Sequence, residues 1–109
     1  MAVTVNIYYT GTDGGAVGFA REMTESGIVS DIRAEKGNIK YDYFVSFDNP
    51  ETVLLVDRWE SQKAIDRHHA SPMMKKITEL REKYNLTMKV ERYIDDENGI
   101  PEIDRKFIR

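Results

Sequence analysis

Four stretches of the chain alternate apolar and polar residues and predict the strands of one sheet. The first covers Val3 to Tyr9 and the fourth covers Leu86 to Ile94. The second runs from Ile39 to Phe47, with Ile39 on the same face as the odd-numbered residues that follow it. The third, Val53 to Glu60, is rich in β-branched residues and comes after a turn at Asp48 to Glu51. The second and third strands should therefore pair as an antiparallel hairpin.

Two stretches between these strands have the apolar spacing of helices. Residues Ala16 to Ser26 place apolar side chains on one stripe, and Gly27 ends that helix before a further short turn. Residues Ser61 to Tyr84 form the second helical region. Ser61 has the side chain of an N-cap, and Pro72 should start a new helical segment within the region.

The order of elements is strand, helix, strand, strand, helix, strand, which predicts an α+β fold. Its simplest form is the ferredoxin-like βαββαβ arrangement, a four-stranded antiparallel sheet with the helices on one face. Apolar residues on both faces of the strands leave the other face in need of a cover. A second copy of the sheet, related by a two-fold axis, would cover it, so we expect a homodimer. Residues 1–94 form this domain, and 95–109 a polar tail whose Phe107 and Ile108 are candidates for docking on the dimer.

Composition narrows the class of protein. The 109 residues suit one domain, with 40% hydrophobic and 32% charged residues and no apolar run that predicts a membrane span. The absence of cysteine excludes disulfides, thiol catalysis and thiolate metal sites, and the N-terminus does not resemble a secretory signal, so we expect a cytoplasmic protein. Residues 58–92 hold nine basic and five acidic side chains, but these alternate in helical phase as on a solvated helix face. Nucleic-acid binding is not expected.

The junction between the third strand and the following helix carries the candidate chemistry. It contains the only tryptophan, Trp59, and the only histidines, His68 and His69. An aromatic wall beside side chains that titrate near neutral pH suits a small-molecule pocket. Adjacent helix positions point about 100° apart, so the two histidines cannot hold one ion together, and no metal site is predicted.

A recognisable pattern surrounds this junction. Asp57-Arg58-Trp59 is followed by a helix with His68 and then by Ser71-Pro72. The pattern resembles the antibiotic biosynthesis monooxygenase superfamily, and the segments from Gly37 to Tyr41 and from Leu80 to Tyr84 look closest to its small quinol monooxygenases. The resemblance covers residues 3 to 94. It implies a dimeric α+β barrel with a ligand cavity between sheet and helices in each subunit.

The activity that this resemblance implies is the oxygenation of a phenol or hydroquinone by O2 without metal, flavin or haem. An electron-rich phenolate can itself reduce O2, so the protein needs only to bind, deprotonate and orient the small aromatic substrate and to exclude water. By position, His68 would be a base or a hydrogen-bond partner of the substrate. The other implied site residues are Trp59, which would stack on the ring, Asn6 and Asn38, which would hold an oxygen, and Tyr41 and Tyr43, which would line the cavity.

Two departures and two rival functions accompany the resemblance. Met73 stands where many relatives have a second histidine, and His69 is expected to be exposed. A haem-degrading branch of the superfamily has Trp at the position of His68 and its haem-ligating His at that of Thr78, so haem degradation is not expected. The rivals are an isomerase or tautomerase of a small hydroxyketone in the same cavity, and a dimeric binder without catalysis. O2 consumption would separate the oxygenase from the isomerase.

Overall fold

The computed structural model describes the whole chain, residues 1–109, and confirms the ferredoxin-like α+β fold. The strands are β1 (Val3–Thr10), β2 (Asn38–Val45), β3 (Thr52–Trp59) and β4 (Thr87–Ile94). The helices are α1 (Gly15–Glu25), α2 (Ile28–Arg33), α3 (Gln62–His69) and α4 (Met73–Lys83), and a 3₁₀ helix (Glu102–Phe107) lies in the tail.

The four strands form one antiparallel sheet in the order β2-β3-β1-β4. The central strand β1 pairs along its length with both neighbours, so that Val3 lies opposite Trp59 in β3 and Ile94 in β4. The register between β2 and β3 shifts between Asn38 and Lys40. Because of this irregularity Ile39 is 52% exposed and does not join the buried face, contrary to the simple alternation of the sequence.

The four α-helices cover one face of the sheet, which we call the inner face. The strand residues of the hydrophobic core come from this face alone: Val3, Ile7, Tyr9, Tyr41, Val53, Leu55 and Trp59. Helix side chains that pack against them include Ala16, Phe19, Met23, Val29, Ile32, Ile65 and Ile77. Because side chains alternate along a strand, Asp57 also lies on the inner face, between Leu55 and Trp59.

Local sequence signals set the helix ends. Gly27, which precedes α2, has a φ of 91°, a left-handed conformation that glycine adopts without steric cost. Ser61 caps α3 as predicted, since its Oγ accepts a hydrogen bond from the backbone N–H of Ala64 at 3.1 Å. Pro72 immediately precedes α4, which confirms the predicted break. None of the helices combines the length and the apolar character needed to cross a membrane.

The opposite, outer face of the sheet has no helix against it. The strand residues that point to it are Thr4, Asn6, Tyr8, Lys40, Asp42, Phe44, Leu54, Val56, Arg58, Lys89, Glu91 and Tyr93. This mixture includes large side chains that are half-exposed, with 46% for Phe44 and 50% for Tyr93. The homodimer that would cover this face stays a prediction.

The tail, residues 95–109, leaves the sheet at the end of β4. Its first residue is fixed, because the Arg58 guanidinium makes two hydrogen bonds to the Asp95 carboxylate, at 2.7 and 2.8 Å. Beyond that point no tail residue is buried, and Phe107 and Ile108 are 78% and 57% exposed. Docking of the tail on a dimer therefore also stays a prediction.

Candidate functional site

A cavity of about 320 Å³ lies between the inner face of the sheet and helices α3 and α4. Its apolar walls are Val5, Ile7, Ile65, Met74, Met88 and Val90. Its polar lining residues are Asp57, Gln62, His69, Arg81 and Arg92. Apolar walls with a few convergent polar groups are typical of small-molecule sites, and this volume is at the small end of their range.

Asp57 is the buried acid of this cavity, with only 8% of the residue exposed. Burial raises the pKa of Asp57 to about 6, although a hydrogen bond from the Trp59 indole N–H and the charge of His68 each lower it in part. A carboxyl group with this pKa can accept a proton at neutral pH and release it again. Asp57 therefore has the position and the chemistry of a general base.

Trp59 and His68 form a buried stack next to Asp57. Their ring centroids are 4.9 Å apart at an interplanar angle of 30°, and Trp59 is fully buried while His68 is 4% exposed. The His68 Nδ1 lies 2.8 Å from the Glu35 carboxylate, just after α2. The structure thus brings Trp59 and His68 together at the strand–helix junction, as the sequence predicted. Neither residue lines the cavity, so their roles as ring platform and base stay predictions.

Arg81 on α4 contributes a partly unsatisfied guanidinium. One of its terminal nitrogens donates a hydrogen bond to the Tyr9 hydroxyl at 3.1 Å, and the group lies 5.7 Å from the centre of the Tyr9 ring. Its Nε is buried and has no hydrogen-bond partner. A buried donor without a partner is unfavourable, so an acceptor on a ligand would be bound well here.

His69 also lines the cavity, and it is exposed, as the sequence predicted. Burial lowers the pKa of His69, and the charge of the neighbouring His68 lowers it further. At neutral pH His69 is therefore mainly uncharged. It can donate or accept a hydrogen bond at the cavity without adding a full positive charge.

The two predicted asparagines lie elsewhere. Asn6 pairs with Val56 across β1 and β3 on the outer face, so its side chain points away from the cavity. Its Oδ1 is buried there without a partner. Asn38 begins β2, and its Nδ2 lies 3.5 Å from the carbonyl oxygen of Arg58. The structure does not bring either residue to the lining of the cavity, and their roles in a site stay predictions.

The two predicted tyrosines belong to the inner face but do not line the cavity. Tyr41 and Tyr43 meet edge to face, with ring centroids 5.8 Å apart, and Tyr43 makes a similar contact with Phe19 at 6.2 Å. Burial raises the pKa of both tyrosines, so both hydroxyls are neutral at physiological pH. The Tyr43 hydroxyl is buried without a partner. Contact of either ring with a ligand stays a prediction.

Sequence reasoning did not assign a role to Asp57, Arg81 or Arg92. Asp57 gave a signal, because it is a charged residue at an inward position of a strand whose other inward residues are apolar. Arg92 gave the same signal in β4. Arg81 gave none, since it stands in a helix where basic and acidic residues alternate. No group of three or more His, Cys, Asp or Glu side chains is arranged to hold a metal ion.

Solved structures share this fold. A candidate antibiotic biosynthesis monooxygenase from Deinococcus radiodurans has a TM-score of 0.74 at 20% identity, with 93% of this chain and 97% of that chain covered. SnoaB, a cofactor-independent oxygenase from Streptomyces nogalater, has a TM-score of 0.74 at 14% identity, covering 93% and 98%. A conserved protein from Methanosarcina mazei Go1 has a TM-score of 0.75 at 21% identity, covering 88% and 94%. Identities this low show the shared fold alone.

A family model matches the sequence more directly. No curated protein sequence matches the chain. The model described as antibiotic biosynthesis monooxygenase matches residues 2–80, which is most of the chain and includes Asp57, Trp59 and His68. The match agrees with the resemblance seen in the sequence and with the observed fold. The chain belongs to the antibiotic biosynthesis monooxygenase family.

Proposed function

We propose that this protein is a cofactor-independent monooxygenase that oxidises a hydroxylated, quinol-like aromatic with O2. The observation that carries the proposal is Asp57, a buried carboxyl group with a pKa of about 6 in the wall of a largely apolar cavity. Membership of the family supports the reaction type. The fold shared with SnoaB, which is a cofactor-independent oxygenase, is consistent with it.

The chemistry needs only a base and a dry cavity. Asp57 accepts the proton of a phenolic hydroxyl, and the electron-rich phenolate then reduces O2. One quinol and one O2 give one hydroxyquinone and one water. The ring loses four electrons, one oxygen atom forms a bond to a ring carbon in place of hydrogen, and the other leaves as water. The buried apolar side chains of Ile7 and Ile65 in the cavity wall keep bulk water away from this reaction.

In this proposal Asp57 accepts the substrate proton, and His68 helps to hold Asp57 in place without contacting the substrate. The Trp59 indole N–H donates to one Asp57 oxygen, which orients the carboxyl group. His68 stacks on the indole, and Glu35 holds the imidazole. A reacting group held by such a packed second layer keeps its geometry without rearrangement during the reaction.

We propose further that two copies of the chain associate through their outer faces. Tyr8, Phe44 and Leu54 line an apolar hollow on this face, and the four α-helices are on the other side of the sheet. A second copy offers the same mixed surface in a self-complementary arrangement. The tail, residues 95–109, would then dock its exposed apolar side chains on the dimer. The cytoplasmic location also remains a prediction.

O2 uptake by purified, metal-stripped protein tests the function. A panel of hydroquinones and catechols is offered, and autoxidation without protein is subtracted. We expect protein-dependent uptake that is lost in Asp57→Asn and retained in Asp48→Asn, which alters an exposed turn residue. Absence of uptake with every compound would refute the oxygenase. Exchange of solvent protons into a hydroxyketone without O2 uptake would then identify an isomerase. Binding of an aromatic compound without any turnover would identify a non-catalytic binder.

A further inference from the structure

We propose that the cavity selects an aromatic substrate that carries a carboxylate, and that the guanidinium groups of Arg81 and Arg92 bind this carboxylate. The inference rests on the proposed function for the aromatic, hydroxylated part of the substrate. It adds the charged group and its position on the ring. Both arginines lie beyond residues 2–80, the part of the chain that matches the family model.

The first observation is that neither cavity arginine forms an ion pair or a hydrogen bond with a carboxylate of the chain, although the charge of Arg81 lowers the pKa of Asp57 in part. Arg33, Arg58 and Arg105 each form an ion pair with a carboxylate of the chain. The Arg81 side chain makes one hydrogen bond, to the Tyr9 hydroxyl, and its Nε is buried without a partner. Arg92 forms no side-chain hydrogen bond and no ion pair. Two guanidinium groups that line one cavity with unused donors are suited to a ligand that brings its own carboxylate.

The second observation is the balance of charge around the cavity. Asp57 is the only acidic residue in the lining, against the two arginines. His69 is mainly neutral at physiological pH, since burial lowers its pKa. The lining therefore has a net positive charge even when Asp57 is ionised. A cavity of this kind attracts anions more strongly than neutral compounds of the same shape.

The third observation is the order of residues across the sheet. Val5 in β1 lies directly opposite Asp57 in β3 and directly opposite Arg92 in β4. The three side chains share the inner face and form one row. Neighbouring strands are about 4.8 Å apart, so the backbone positions of Asp57 and Arg92 are separated by about 10 Å. A benzene ring over Val5 would place a hydroxyl near Asp57 and a carboxylate near Arg92 only if the two groups are at opposite ends of the ring.

This geometry predicts the substitution pattern of the substrate. A hydroxyl para to the carboxylate can reach Asp57 while the carboxylate reaches Arg92. A hydroxyl ortho to the carboxylate cannot. The probe 3,4-dihydroxybenzoate has the para hydroxyl, and 2,3-dihydroxybenzoate has the same groups without it. The methyl ester of the first compound keeps the ring and both hydroxyls but removes the charge.

Anaerobic binding, followed by the fluorescence of Trp59, tests the inference without requiring any reaction. Trp59 is the only tryptophan and donates a hydrogen bond to Asp57, so its emission reports on the site. We expect 3,4-dihydroxybenzoate to bind at least about tenfold more tightly than its ester and than the 2,3-isomer. Arg92→Gln should weaken binding of the acid by about tenfold and change that of the ester by less than about twofold.

Two further variants complete the experiment. Arg67→Gln removes the same charge from an exposed position of α3 outside the cavity and should leave all affinities unchanged. Arg81→Gln should weaken binding of the acid to the same extent as Arg92→Gln. Its circular dichroism spectrum is recorded in parallel, because Arg81 also contacts Tyr9. Arg92 is exposed, so its replacement should not disturb folding.

The outcomes separate this inference from the proposed function. Equal affinity for the acid and the ester, equal weakening of both in Arg92→Gln, or binding of neither compound would overturn the inference. If neutral quinols still supported O2 uptake, the proposed oxygenase function would be retained. Conversely, selective binding of the acid without O2 uptake would support the carboxylate site and refute the oxygenase.

Discussion

The inner and outer faces of the sheet are built from the same four strands, yet they give neighbouring residues opposite environments. Asp57 and Arg58 are adjacent in β3. The Asp57 carboxyl group is buried on the inner face with a raised pKa, whereas Arg58 points to the outer face, where it pairs with Asp95 at 2.7 Å. An offset of one residue therefore decides whether a charge can take part in chemistry or only in a surface ion pair. Substitutions on each face should separate these two roles.

The largest expected effect is that of Asp57→Asn on the inner face. Loss of the proton acceptor should lower O2 turnover by about 10²–10⁴-fold. The same change should stabilise the protein at high pH. Since the pKa of Asp57 is about 6 in the folded protein and 3.8 is its ordinary value, ionising the buried group reduces stability as the pH rises between these values. Above pH 7, Asp57→Asn should therefore have a free energy of unfolding about 3 kcal/mol higher than wild type.

Urea unfolding at pH 4 and pH 8 measures this gain, which should almost vanish at pH 4. Asp48→Asn serves as the control, because Asp48 is exposed in the turn before β3. It should alter neither turnover nor the pH dependence of stability. An Asp57→Asn protein that retains turnover would remove Asp57 from the mechanism. One that is less stable than wild type at pH 8 would contradict the raised pKa.

The next effect belongs to the outer face. Phe44→Glu introduces a charge into the apolar hollow that Tyr8 and Leu54 also line, and burying that charge in an interface is unfavourable. We expect the mass in sedimentation equilibrium to fall from that of a dimer to that of a monomer. Phe47→Glu, in a fully exposed position after β2, is the matched control and should remain dimeric. An unchanged mass for Phe44→Glu would place the interface on another surface.

The fold could be predicted where the apolar spacing is regular. Alternation in β1 and β3, the helical stripe of α1 and the caps at Ser61 and Pro72 all follow local rules, and the order of elements then leaves few topologies. The irregularity at Ile39 could not be predicted in this way. It depends on the pairing of β2 with β3, which the period of a single strand does not contain.

The candidate site was harder to predict from the sequence than the fold, for a different reason. The proximity of Trp59 and His68 follows from neighbouring elements and was predicted, whereas their stacking on each other was not. The alternation of β1 already separated Asn6 from Val5 and Ile7, so its outer position was available from the pattern as well. The roles of Arg81 and Arg92 were not available. They depend on guanidinium donors that form no hydrogen bond to a carboxylate in the folded chain, which spacing cannot reveal.

A smaller effect is expected from His68→Gln on the inner side. The substitution removes the ring that stacks on Trp59, so the indole and its hydrogen bond to Asp57 lose part of their support. Turnover should fall by about tenfold, less than in Asp57→Asn, because His68 acts through Trp59 and not on the substrate. Steady-state O2 uptake measures this, with near-ultraviolet circular dichroism of Trp59 as the structural readout. A loss as large as that of Asp57→Asn would instead identify His68 as the proton acceptor.

The smallest expected effect is that of Asn6→Val on the outer face. Asn6 Oδ1 is buried without a partner within one chain, and valine fits a strand better than asparagine. In the monomeric Phe44→Glu background, Asn6→Val should therefore raise the free energy of unfolding by about 1 kcal/mol. In the dimer the gain should be smaller if the second copy supplies a donor to this oxygen. Urea unfolding of both backgrounds makes the comparison. If O2 turnover fell while the mass and the stability stayed the same, Asn6 would act in the reaction from the outer face, and the separation of roles between the two faces would be wrong.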